Sequence, residues 1–151
     1  MRERVLRAFI VFMGISVAAW VASLIVSARL TRGDASSDGF RVATIMNGGE
    51  FSSHATNLRS GAAITIMGGV RIDLRGATLD PSGASLELNT FMGGLEVLVP
   101  EDWAVEVDDD VLGGDLKVTV ASPDDLPEDA PRLHIHAVMR LGGAEITAKA
   151  A

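Results

Sequence analysis

From about residue 41 onward, apolar and polar positions alternate with a period of two, in short runs broken by pairs of glycines. That alternation predicts strands buried on one face. After Gly69 the inward row reads Val70, Ile72 and Leu74, with Arg71 and Asp73 outward; after Gly94 it reads Leu95, Val97 and Val99, with Glu96 outward. After Gly114, Leu116, Val118 and Val120 read inward against Asp115, Lys117 and Thr119, and after Gly143 Ile146 reads inward between Glu145 and Thr147. Facing rows precede the glycines: Ile64 and Ile66; Leu86 and Leu88; Trp103, Val105 and Val107; Leu133, Ile135, Ala137 and Met139. Each unit therefore reads as strand, glycine corner, strand, and no helix is expected after residue 33.

The corners are five doublets: Gly48 and Gly49, Gly68 and Gly69, Gly93 and Gly94, Gly113 and Gly114, Gly142 and Gly143. They start 20, 25, 20 and 29 residues apart, a spacing expected of stacked supersecondary units. A sharp corner often needs positive φ or close backbone approach, and glycine supplies both. Units of this kind cannot bury an apolar face alone. The expected fold is all-β, a short parallel β-solenoid with one shared core; a two-sheet antiparallel sandwich is the runner-up. One irregularity stands out. The first inward residue directly follows the doublet at Val70 and Leu95 but comes one residue later at Leu116, and Phe51 shows the same delay. A one-residue slip reverses every side chain, so a bulge or a different corner must absorb it.

Residues 8–28 run without a charge, and in a helix they reach about 31 Å, the thickness of a bilayer hydrocarbon core. The expectation is a transmembrane helix over 8–28, a short cytoplasmic N-terminus over 1–7, a polar linker over 29–40 and one β-domain over 41–151. A cleavable signal peptide is the competing reading, since Val26, Ser27 and Ala28 are small, but its apolar region would be about twice the usual length. Arg2, Arg4 and Arg7 precede the segment, against Arg29 and Arg32 after it. The bias favours a cytoplasmic N-terminus and a β-domain outside the cytoplasmic membrane. Gly14, Ala18, Ala19 and Ala22 read as ordinary helix composition.

From Gly33 onward eight basic residues face nineteen acidic ones, a net charge of −11. Nucleic acid and anionic lipid headgroups are therefore not expected partners of the domain. With no cysteine in the chain, disulfides, thiolate metal sites and thiol catalysis are excluded.

Candidate chemistry is sparse. His134 and His136 sit two apart, so both would project from one strand face, a start for a zinc or copper site that lacks a local third ligand. Two exposed strand histidines are the plainer reading. Asp108, Asp109, Asp110 and Asp115 read as a solvated acidic turn, since no calcium-loop spacing is present. Ser52, Ser53 and His54 form no triad, because neighbouring strand residues alternate faces. The acidic, proline-rich run at 122–131 is a loop interrupting the pattern. No phosphate-loop signature occurs. No catalytic, metal or cofactor residue is assigned.

The stretches IMGGVRIDLRGA (66–77), FMGGLEVLVPEDWAVEVDDDVLGGDLKV (91–118) and APRLHIHAVMRLGGAEI (130–146) resemble the LiaF-like C-terminal domain of bacterial cell-wall-active antibiotic response proteins. The most specific portion runs through Gly93, Gly94, Val99, Pro100, Trp103 and Val105, and it reads as strand, proline stop, then a large aromatic entering the core. The resemblance, over about residues 40–148, implies a non-enzymatic accessory or sensing role in envelope stress, in some members by restraining a membrane histidine kinase. It supplies no catalytic residue; Gly68, Gly69, Gly93, Gly94, Trp103, Gly113 and Gly114 look structural, and family members commonly carry several membrane helices or a small cytosolic helical domain before this module, where this chain offers one helix and a linker. The implied partners are the membrane, through residues 8–28, and a histidine kinase or other envelope protein. Two further classes stand beside this reading. One is a scaffold of copies joined through an exposed end strand near Ala144 to Ala148. The other is an envelope enzyme using a carboxylate pair drawn from Glu87, Glu106 and Asp108.

Overall fold

The computed structural model describes residues 2–151. One helix, α1 (Arg2–Leu30), precedes ten strands: β1 (Gly39–Ile45), β2 (Gly48–Ser52), β3 (Ser60–Ile66), β4 (Gly69–Asp73), β5 (Ala84–Phe91), β6 (Gly94–Pro100), β7 (Ala104–Leu112), β8 (Asp115–Thr119), β9 (Arg132–Arg140) and β10 (Gly143–Lys149). A three-residue 3-10 turn, Pro123–Asp125, is the only helical departure described after residue 33.

The odd strands form one five-stranded sheet in the order β1-β3-β5-β9-β7, and the even strands form another in the order β2-β4-β6-β10-β8. Every pairing between these strands is parallel, so the antiparallel sandwich does not form. Both sheets contribute to one core, in which Ile72, Leu74, Leu86, Leu88, Val97, Val99, Leu133, Ile135, Met139 and Ile146 are fully buried.

The strand order departs from the sequence order at one end. The chain leaves β6, builds the outermost pair β7 and β8, then returns so that β9 and β10 slot in beside β5 and β6. Residues Ala144 to Thr147 therefore lie between β6 and β8, and Ala148 pairs with Val99 of β6, so this segment is not the exposed edge expected. The free edges at this end are β7 and β8. Val118 keeps its inward register opposite Ile146 but stays 41% exposed, because no further strand covers it.

A second correction concerns β3. Its inward residues are Gly61, Ala63 and Thr65, while Ile64 and Ile66 face outward and are half-buried. The cause is space: a Cβ on Gly61 would lie 2.5 Å from Cζ of Phe40 and 2.9 Å from Cδ1 of Leu86. Phe40 stacks on Phe51 with ring centroids 4.4 Å apart and occupies the volume that larger β3 side chains would need.

The one-residue irregularity is absorbed at the corners. Gly48, Gly69, Gly94, Gly143 and Asp115 share one register position, so Asn47 stands level with Gly68, Gly93, Gly142 and Gly114. The doublet shifts by one in the first and fourth units, and the strands beyond stay aligned without a bulge.

The segment expected as a polar linker is tied down. α1 continues to Leu30, and the backbone of Arg32 exchanges two 2.7 Å hydrogen bonds with that of Arg41. Ser27 Oγ accepts from the N–H of Ile45 at 3.0 Å, and Thr31 Oγ1 accepts from the N–H of Ala43 at 3.2 Å. These hydroxyls serve edge amides of β1 that no neighbouring strand pairs.

Candidate functional site

Three surface features result from this architecture. The first is the outer face of the odd-strand sheet. Because β9 is inserted between β5 and β7, His136 has Glu87 on one side and Asp108 on the other, and His134 has Ser85 and Glu106. His136 Nδ1 lies 3.3 Å from Asp108 Oδ2, and His134 Nδ1 lies 3.8 Å from Glu106 Oε2. Farther along the same strands Arg140 donates to Asp110 Oδ2 at 2.7 Å, and this bond holds the Asp110 carboxyl below the ordinary range. The histidine neighbours missing from the local sequence are thus supplied by topology. Among the described residues, however, no three histidine or acidic side chains converge as a metal site. The face is a flat, paired array of exposed charges, and such pairs contribute little to stability.

The second feature is a shallow groove of about 720 Å³ on the outer face of the even-strand sheet, floored by Gly48, Gly69, Gly94 and Gly143. These floor glycines have room for a side chain: a Cβ on Gly94 would meet nothing within 4 Å, and one on Gly48, Gly69 or Gly143 would meet only a carbonyl oxygen at 3.8 to 4.0 Å. Beside the floor runs a charged row, Glu50, Arg71, Glu96, Glu145 and Lys117, in register across all five strands. Within it Arg71 pairs with Glu96 at 3.4 Å and Lys117 with Glu145 at 3.6 Å.

The third feature is the corner itself. The other glycine column is sterically required: a Cβ on Gly93 would lie 2.5 Å from the carbonyl oxygen of Gly68, and one on Gly142 would lie 2.5 Å from that of Gly93. Gly68 and Gly114 meet the carbonyls of Asn47 and Gly142 in the same way. Asn47 is tolerated because it begins the column. Immediately before these positions stand Met46, Met67, Met92 and Leu141, all with positive φ of 50° to 55°, and Gly113 with φ 69°.

Of the remaining motif residues, Gly49 faces the methyl of Thr44, Pro100 ends β6, and Trp103 is buried in the core beside the start of β7. The glycines, Pro100 and Trp103 therefore shape corners and core, whereas the exposed charges lie on the two outer faces. The sequence reading missed Thr44, Thr65 and Thr90, which are buried at the inner side of the corner, with Thr65 and Thr90 methyls 2.9 and 3.0 Å from where Cβ atoms on Gly93 and Gly142 would stand. The recurrence of threonine two residues before Met46, Met67 and Met92 was the available signal. Asp34, Asp73 and Asp80 also hold lowered pKa values, through hydrogen bonds from Ser36, Arg75 and Ser82 respectively.

Residues 47–134 match the family model described as cell wall-active antibiotics response LiaF, C-terminal. The matched span runs from the first corner to the third residue of β9 and leaves out α1, β1 and β10. Neither the curated proteins nor the solved structures compared with the chain gave a match.

Proposed function

Because the chain belongs to the family of LiaF C-terminal domains of the cell wall-active antibiotics response, we propose that it is a membrane-anchored, non-enzymatic accessory protein of envelope-stress signalling, working by protein contact. The observation that carries this reading is the junction between α1 and β1. Ser27 in a helix long and apolar enough to cross a membrane, and Thr31 just after that helix, accept hydrogen bonds from amides of the first strand, which supports a domain held at the membrane surface in a defined pose. A rigidly presented surface suits contact with a neighbouring membrane protein such as a histidine kinase. The charged row over the glycine-floored groove is the surface we assign to that contact, because its fixed order of signs, with Glu96 and Glu145 adjacent between Arg71 and Lys117, offers register to one partner and rejects others. In this reading the paired sheets are a short β-solenoid, the N-terminus is cytoplasmic and the domain lies outside.

Self-assembly through free edges is the weaker alternative. β7, the outermost odd strand, carries Glu106, Asp108, Asp109 and Asp110, and like charges on an edge oppose pairing with another copy.

The test is a reporter of envelope stress in cells carrying the wild-type chain, no chain, or the charge reversal Glu96→Lys, with abundance checked by blot. Removal should change the reporter response and Glu96→Lys should reproduce much of that change. An unaltered reporter after removal would sink the proposal. For orientation, single cysteines at Ser37 and Asp125 should react with an impermeant thiol reagent in intact cells; reaction only after lysis would reverse the assignment.

A further inference from the structure

Met46, Met67, Met92 and Leu141 form one row across four strands. Their N–H groups donate to the carbonyls of Ile66, Phe91, Arg140 and Leu112 at 2.8 to 3.0 Å, so each stands level with the next, at strand spacings of about 4.8 Å. All are exposed, by 43%, 52%, 47% and 60%, and Phe91 and Leu112 beside them are exposed by 47% and 66%. Fold stability does not account for this choice of residues. A left-handed backbone favours glycine or asparagine, and a large apolar side chain there costs about 1 kcal/mol or more. The fourth unit shows the favoured solution, with Gly113 in the same slot. Four large apolar side chains in strained conformations and in water point to a partner that covers them.

The helix indicates which partner. Thr31 meets Ala43 and Ser27 meets Ile45, so α1 runs antiparallel to β1, and moving toward the helix N-terminus moves toward Met46. Ser23 and Ser27, both within the uncharged run 8–28, are buried at 6% and 5% exposure. If residues 8–28 fill the hydrocarbon core, Ser27 lies at its edge. Met46, one residue beyond Ile45 and so about 3.3 Å farther along, stands at the same boundary. The row extends from there across the sheet.

We propose that Met46, Met67, Met92 and Leu141, flanked by Phe91 and Leu112, form a ridge that rests in the surface of the same bilayer that α1 crosses, with its side chains at the boundary between headgroups and acyl chains. The occupant is lipid. Since the domain carries a net charge of −11, burial of apolar area holds the ridge, and zwitterionic lipid suffices. The inference rests on the membrane-spanning reading of α1 and adds a second contact to it.

The test uses the full cysteine-free chain with single cysteines, in separate variants, at Met46, Met67, Met92, Ile15 in the helix, and Asp102 in the exposed turn after β6. Each variant is labelled with an environment-sensitive fluorophore and reconstituted into phosphatidylcholine vesicles with or without brominated lipid. Labels at Ile15 and at the three ridge positions should be quenched by brominated lipid, and the label at Asp102 should not. Quenching at Ile15 without quenching at the ridge overturns the proposal and leaves the anchor standing. Ridge labels shielded from aqueous quencher but untouched by brominated lipid also overturn it, since a protein would then be the cover. An unquenched Ile15 removes both. A companion variant, Met67→Asn, Met92→Asn and Leu141→Asn, places a residue suited to positive φ at each site and so folds; it should lower lipid quenching of a label at position 46 by about threefold or more. No change would count against the ridge.

Discussion

The carbonyl oxygen of Gly68 lies 2.5 Å from the position that a Cβ on Gly93 would take. One column of glycines is thus needed for strand stacking, while its neighbour one residue later leaves open space. Gly93→Ala should cost about 2 kcal/mol or more, since neither backbone can move without breaking its ladder. Gly94→Ala should be neutral or slightly stabilising, within about 0.5 kcal/mol. Denaturant melts of the full chain in detergent compare the two; equal effects would refute the distinction.

Leu141 combines φ 55° with 60% exposure, so it bears backbone strain and recovers little from burial. Leu141→Gly should raise stability in detergent by about 0.5 to 1 kcal/mol. A lower melting temperature would show that its side chain packs better than its exposure indicates.

Ser27 is buried and supplies the acceptor for the Ile45 amide at the edge of β1. Ser27→Ala leaves that N–H facing an apolar contact, at a cost of about 1 to 2 kcal/mol. Hydrogen exchange should quicken at Ile45 and its neighbours in β1 while β9, in the middle of the sheet, keeps its protection. Uniform exchange across both strands would show that the cap does not act locally.

The Asp80 carboxyl is lowered to about 2 by the hydroxyl and N–H of Ser82, with Asn57 and Arg59 adding to it. Asp73 and Asp110 are lowered chiefly by hydrogen bonds from Arg75 and Arg140. A depressed carboxyl contributes stability that is complete above its unfolded pKa and fades as pH falls through its folded one. Stability should therefore hold from neutral pH to about 4 and fall between about 4 and 2. Asp80→Asn should flatten part of that fall; an unchanged acid limb would mean that the turn around Asp80 opens before it protonates.

The period-two pattern and the glycine corners were legible because each follows from neighbouring residues: alternation sets a strand's faces, and a missing Cβ permits a corner. The apolar helix was legible for the same reason. The inward rows in β4, β6 and β9 could be read directly, whereas β3 could not, since Ile64 and Ile66 are turned outward by the space that Phe40 fills from another strand. Strand order was also hidden. Units four and five offer similar inward rows in parallel register, and local pattern does not rank them. The tertiary structure places the fully buried Leu133, Ile135, Ala137 and Met139 inside and leaves the acids of β7 at the edge, where they remain hydrated. That insertion alone brings Glu87 and Asp108 to His136. Local sequence thus determined the elements and their corners, while shared volume and the hydration of charge decided which elements became neighbours.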